Sequence, residues 1–224
     1  MAAATTDYRG TMDDRAAGSR LRIAELADGA AAVLDVGCAN GYIGEHLRRR
    51  HGVRYLAGIE LDARLAREAG ERYDLVLEGD AEDAGVWDKL PRTFDAVVAA
   101  DVLEHLRQPE IVLDRIRRAL TDAGTLIVSL PNVAYWEVRR DLFFRGRWDY
   151  TDWGILDRNH LRFFTMDSGR ALLERAGFTV TLAEPVFPEV SGSRLAWLPL
   201  FPRWRRRYPG VFASQYIFTA RAVR

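Results

Sequence analysis

The chain of 224 residues is long enough for one α/β domain with a full hydrophobic core and too short for two ordinary ones. Hydrophobic residues at 48% and charged residues at 29% make a globular composition and exclude disordered and fibrous classes. Lys+Arg and Asp+Glu each total 32, and this zero net charge argues against a protein built to coat nucleic acid or an anionic membrane.

In chain order, the stretch through Asp28 predicts a helix with Leu21, Ile23 and Leu26 among its buried positions. Ala31–Val36 is the first buried strand, followed by a glycine-containing turn and a helix over Tyr42–Arg50. Arg54–Glu60 is the second strand, Ala63–Gly70 a helix ending at glycine, and Tyr73–Leu77 a short third strand. Phe94–Ala100 is apolar without alternation, as expected of a strand covered on both faces. Pro109 opens a helix to Leu120 whose apolar stripe is Ile111, Leu113, Ile116 and Leu120, and Gly124–Leu130 is the fifth strand. Met166 and Asp167 open a helix that buries Leu172 and Leu173 and ends at Gly177; strands follow over Phe178–Ala183 and Ser214–Val223. Strands alternating with helices imply a mostly parallel, doubly wound sheet, in which ligands bind at the carboxyl ends of the strands.

The residues just past those ends carry chemistry. The first strand runs into Asp35-Val-Gly37-Cys38-Ala39-Asn40-Gly41, where glycines let the backbone turn sharply against a ligand and the next helix offers free N–H groups. Glu60 closes the second strand, where a carboxylate can accept two hydrogen bonds from a ribose diol. Gly79-Asp80-Ala81-Glu82 follows the third strand and sets a polar residue where an adenine amine can be read. Asp101-Val-Leu-Glu104-His105 follows the fourth. A nicotinamide Rossmann enzyme is the nearest rival, but its Gly-x-Gly-x-x-Gly turn is interrupted by Ala39 and Tyr42, and the Tyr42 ring would meet the pyrophosphate.

This set, over about Val33–Leu130, resembles the class I S-adenosylmethionine-dependent methyltransferases, with Ala39 standing where the middle glycine is usual. The resemblance implies a Rossmann-like α/β fold of about seven strands, mostly parallel with the last antiparallel beside the sixth, and helices on both faces. It implies S-adenosylmethionine as cofactor, leaving as S-adenosylhomocysteine. Asp35 and the turn of Gly37, Cys38, Ala39 and Gly41 would hold the methionine part. Glu60 with Leu61 would hold the ribose, Asp80 with Ala81 the adenine, and Asp101 would line the pocket near the sulfonium. Residues 1–29 would lie over the cofactor as a lid, with Tyr8 a candidate lid residue.

Two long insertions leave the ligand edge, over residues 131–165 and 185–212. The first carries Tyr135, Trp148, Asp149, Tyr150 and Trp153 as candidate substrate contacts, with Asp157 and His160 as further polar groups. Its Pro-Asn-Val-Ala and Gly-Ile-Leu-Asp…His-Leu-Arg-Phe-Phe-Thr segments resemble a bacterial methyltransferase subgroup. The second carries Trp197, Phe201, Trp204 and the basic run Arg203, Arg205, Arg206 and Arg207, for which a substrate cap, a homodimer contact, a phosphate site and a solvated loop all stay open.

Methyl transfer consumes positive charge at the sulfonium, so alignment is worth effective molarities of order 10⁵–10⁸ M against about 10²–10⁴-fold from a base. His105 and His160 are the candidate bases, while His46 and His51 read as surface residues. Glu104 and His105 with Asp101 or Asp149 lack a recognisable ligand spacing, so no metal is expected. The lone Cys38 excludes an intrachain disulfide, and it reads as a small packing residue. Charged residues Asp13, Asp14, Arg15 and Arg20 leave no signal-peptide core, and a cytoplasmic protein without a membrane span is expected. The expected function is methyl transfer to oxygen or nitrogen of a small molecule, a sugar or a natural-product intermediate, and not a nucleic acid. A catalytically silent binding partner of another enzyme is the alternative.

Overall fold

The computed structural model describes residues 14–188 and 201–223. Helix α1 spans Asp14–Leu26, β1 Ala32–Val36, α2 Tyr42–His51, β2 Tyr55–Glu60, α3 Ala63–Ala69, β3 Leu75–Glu78, α4 Ala84–Trp87 and β4 Phe94–Ala100. Then follow α5 Pro109–Ala119, β5 Leu120–Pro131, α6 Trp136–Arg145, α7 Met166–Arg175, β6 Phe178–Val186, α8 Phe201–Arg207, α9 Pro209–Phe212 and β7 Gln215–Ala222. The strands form one sheet in the order β3-β2-β1-β4-β5-β7-β6. The first five are mutually parallel, and β7 inserts antiparallel between β5 and β6. This is the Rossmann-like architecture expected from the motif order.

Alternation along each strand builds two cores. Leu34, Val97, Leu126 and Val128 point to the face covered by α5 and α7. Val33, Leu56, Val98 and Ile127 point to the other, where Ile23 and Ala24 of α1 and Leu47 of α2 close over them. Chain order reverses between β1 and β4, and the crevice at that point opens at the carboxyl edge of the sheet.

Several local expectations are corrected. Ile111 is 41% exposed, and Val112 takes its place on the buried stripe of α5 with Leu113 and Ile116. Leu120 leaves the helix and pairs with Phe94, which starts β5 four residues early. In α1, Leu21 is exposed and Ala24 joins Ile23 in the core, with Ala27 just past the helix end. Strand β3 begins at Leu75 rather than Tyr73, because the Tyr73 ring turns inward against the turn after β1. Trp197 and Tyr8 lie outside the described residues. Among the described residues no helix is long and apolar enough to cross a membrane.

Candidate functional site

Strand β1 hands the chain to α2 through a turn that is pinned from below, since the N–H groups of Gly37 and Cys38 both donate to the Ile59 carbonyl at 2.8 and 3.1 Å. Gly37 sits at φ +70°, and a β-carbon there would lie 2.6 Å from the Val102 side chain, so both backbone and space require glycine. Ala39 also holds a left-handed backbone, φ 47°, at the position where the family pattern has glycine.

That strained peptide does something useful. The Ala39 N–H donates to Glu60 Oε2 at 2.8 Å while Asp62 N–H donates to Oε1 at 2.9 Å. Glu60 is thus held at both oxygens, 9% exposed, with lone pairs left for a diol in the cavity. Leu61 beside it is 69% exposed. Asp80 accepts from Glu82 N–H at 2.8 Å and lies 3.7 Å from the Arg107 guanidinium. Asp101, a non-glycine at φ 55°, accepts the Ser129 hydroxyl at 2.8 Å and the Gln215 amide, which fixes its carboxylate in the crevice.

One cavity of about 1400 Å³ runs along this edge. It exceeds the roughly 300–1,000 Å³ of a typical single-ligand pocket, so it has room for a cofactor and an acceptor together. Gly37, Cys38, Ala39, Glu60, Leu61, Asp80, Ala81 and Asp101 line one part. His105, Tyr135, Asp149, Trp153 and His160 line the rest, and Ser19, Arg20 and Ile23 of α1 close one side.

Four of the candidate residues stand apart from the cavity wall. Gly41 is a packing turn, where a β-carbon would meet the Tyr73 ring at 2.9 Å. Trp148 and Tyr150 pack on the Phe163 ring, 5.2 and 6.4 Å between centroids. Asp35 is buried behind the turn, with Oδ2 accepting the Tyr73 hydroxyl at 2.7 Å and Oδ1 without a partner among the described residues. Burial, opposed by the Tyr73 hydrogen bond, pushes the Asp35 carboxyl up to about 7.

The first insertion is fastened at both ends. Buried Asn132 donates to the Ala213 carbonyl at 2.7 Å and accepts from Ala134 N–H at 3.0 Å, while Val133 N–H donates to the Phe164 carbonyl at 2.9 Å. The returning segment reaches the turn after β4, where Leu161 and Arg162 N–H groups donate to the Glu104 carbonyl. His160 therefore comes to lie edge-on to His105, ring centroids 4.7 Å apart. Nδ1 of His105 donates to the Asn159 carbonyl at 3.2 Å, and Nδ1 of His160 to the Ile155 carbonyl at 3.1 Å. Burial and the neighbouring His105 hold His160 below the usual imidazole range. Glu104, 1% exposed, has both carboxylate oxygens buried without a hydrogen-bond partner among the described residues, and burial pushes its carboxyl well above the usual range.

Sequence reasoning missed two features here. The sequence weighs Glu104 only as a metal-ligand candidate beside Asp101 or Asp149, not as a buried acid meeting His160, and Tyr73 only as a strand residue. An acid flanked by Leu103 and Leu106 was the available signal for Glu104; nothing in the spacing marks Tyr73 as the partner of Asp35.

A family model described as a methyltransferase domain matches residues 8–183. An uncharacterised methyltransferase of Mycobacterium tuberculosis is 34% identical over 136 residues, 56% of this chain and 59% of that protein. Malonyl-[acyl-carrier protein] O-methyltransferase of Geobacter sulfurreducens is 30% identical over 154 residues, 66% of this chain and 55% of that protein. The chain thus spans between half and two thirds of the length of these curated relatives. Among solved structures, the plantazolicin methyltransferase BamL, in complex with a triazolic desmethylPZN analogue and SAH, superposes with a TM-score of 0.62 at 15% identity, covering 96% of this chain and 88% of that one.

Proposed function

The chain belongs to the methyltransferase-domain family, and from that premise we propose that it binds S-adenosylmethionine and transfers the methyl group to oxygen or nitrogen of a small molecule. The observation that carries this reading is Glu60, gripped by the N–H groups of Ala39 and Asp62 at the wall of a cavity that continues to His105 and His160. The cofactor would supply an electrophilic methyl group on a sulfonium.

The residues present fit such a group. The Glu60 carboxylate accepts hydroxyl protons of a diol; Asp80 offers an acceptor to an amine, with Ala81 beside it; Gly37–Ala39 form a wall without side-chain bulk. The complex with SAH of a structural neighbour supports the same cofactor. Asp101 adds negative charge that favours a cationic sulfonium, and its left-handed backbone is held by Ser129. Alignment between this end and the acceptor end is the main rate factor, of order 10⁵–10⁸ M in effective molarity. For a hydroxyl acceptor, loss of the proton falls to the cluster of His105, His160 and Glu104, and the walls of Tyr135 and Trp153 limit water.

Zero net charge and the aromatic lining of Tyr135, Trp136 and Trp153 support a pocketed metabolite, a sugar or a natural-product intermediate, over nucleic acid. The O-methyltransferase name of the Geobacter sulfurreducens relative favours oxygen. The unfilled acceptor end favours catalysis over a silent subunit. The test is transfer of labelled methyl to a panel of hydroxylated and amino metabolites. Turnover on at least one hydroxyl acceptor, reduced in His105→Ala with cofactor affinity unchanged, is expected. Full turnover in that variant would remove the histidine from the reaction, and labelling confined to nucleic acid would overturn the acceptor class.

A further inference from the structure

We propose that Glu104, His105 and His160 form a site for a borderline divalent transition ion, of the zinc or cobalt class, at the acceptor end of the cavity. The inference deepens the methyl-transfer reading and rests on it for the ion's role, but not for its binding. Each of the three side chains offers one ligand atom, and these atoms lie within 4.8 Å of one another. Ligands about 2.1 Å from a shared ion lie at most about 4.2 Å apart, so small rotations close the widest pair onto a common centre.

The hydrogen bonding around the cluster makes it a set of acceptors. Each histidine spends its Nδ1 proton on a backbone carbonyl, of Asn159 and of Ile155, which leaves Nε2 of both rings with a lone pair. A second ring N–H donated to a carbonyl is the arrangement that orients metal-binding imidazoles. Within the same 4.8 Å reach lies the Glu104 carboxylate, 1% exposed, whose two oxygens find no donor among the described residues. With Glu104 ionised, three acceptors converge on one spot, a demand that a bound cation would meet. Asp101 and Asp157 face the same carboxylate and add to that demand.

The donor set selects the ion. Two imidazole nitrogens and one carboxylate oxygen suit zinc, cobalt or manganese, whereas magnesium and calcium prefer oxygen alone. Three protein ligands leave a coordination position open, and all three residues line the cavity, so that position faces the acceptor. An ion there lowers the pKa of an acceptor hydroxyl bound to it. Chain spacing concealed this site because His160 arrives from the first insertion, fastened by the Leu161 and Arg162 N–H groups on the Glu104 carbonyl.

The experiment is calorimetric titration of the full chain with Zn²⁺, and with Co²⁺ read by its visible absorption, in wild type, Glu104→Gln, His160→Ala and His51→Ala. The expected result is one tight ion per chain, a cobalt spectrum of mixed nitrogen and oxygen ligation, and an affinity loss in Glu104→Gln and His160→Ala beyond the roughly 10–100-fold of losing an outer partner. His51→Ala, which alters the surface pair with His46, is expected to bind as wild type. Wild type without a tight site, or binding kept in Glu104→Gln and lost in His51→Ala, overturns the proposal. Should a variant fail to fold, the wild-type cobalt spectrum decides alone: no imidazole-type bands at one equivalent overturns it. S-adenosylmethionine affinity, measured separately, separates failure of the ion site from failure of the methyl-transfer reading.

Discussion

The buried Asp35 carboxyl ties protein stability to pH in a direction opposite to that of an ion-paired acid. Its carboxyl is raised from an ordinary 3.8 to about 7, by burial first, against a single hydrogen bond from Tyr73. Between those values the unfolded chain has released this proton and the native chain still holds it. The unfolded state therefore binds fewer protons, and stability falls as pH rises through this window; above about 7 both states are ionised and the loss stays constant. At about 1.36 kcal/mol per pH unit, this group alone removes about 3 kcal/mol between pH 4.5 and 7.5. Asp35→Asn keeps the shape, and its amide oxygen can still accept from Tyr73, but it does not titrate. Urea titrations of both proteins across this range give the difference in unfolding free energy, which cancels every other titrating group. The expected result is that the variant gains about 3 kcal/mol on wild type as pH rises. A difference that stays flat, or one in which wild type gains, would refute the reasoning.

Three further predictions follow from backbone and packing. Ala39→Gly relieves a left-handed alanine at a cost of about 0.4–1 kcal/mol in unfolded-chain entropy, for a net gain near 0.5 kcal/mol; a thermal melt should move up by a degree or two, and a clear drop would contradict the strain. Gly44→Ala places a β-carbon 2.3 Å from the Tyr73 ring and should cost about 1–3 kcal/mol, read by circular dichroism melting; an unchanged melt would show that the ring yields freely. Asn132→Ala leaves the Ala213 carbonyl and the Ala134 N–H without their partners, so denaturant titration should show a loss of about 2–3 kcal/mol, and a value under about 0.5 kcal/mol would mean water replaces both bonds.

The succession of strands, the tight turn after β1 and the acid at the end of β2 were legible because they depend on local pattern. An apolar run covered on both faces, such as Phe94–Ala100, has no other stable use, and the acid at the end of β2 lies a fixed distance from the turn it faces. What was not legible depends on distant residues meeting. The stripe of α5 is shifted by one position because Val112, not Ile111, faces β4 and β5, and a helical period alone permits both. Tyr73 was assigned to a strand because aromatic residues favour strands, yet its hydroxyl is needed by Asp35, 2.7 Å away in the turn core. Trp148 and Tyr150 were assigned to the pocket wall by type; Phe163, on the returning arm of the same insertion, takes both rings instead. The Glu104, His105 and His160 cluster needs the insertion folded before its members are neighbours.

Calorimetric binding of S-adenosylmethionine and S-adenosylhomocysteine to wild type and Glu60→Ala tests the central claim most directly. The account predicts micromolar binding of both, about −8 kcal/mol, clearly weakened when the carboxylate held by Ala39 and Asp62 is removed. Absence of binding to wild type, or equal binding to the variant, would contradict it.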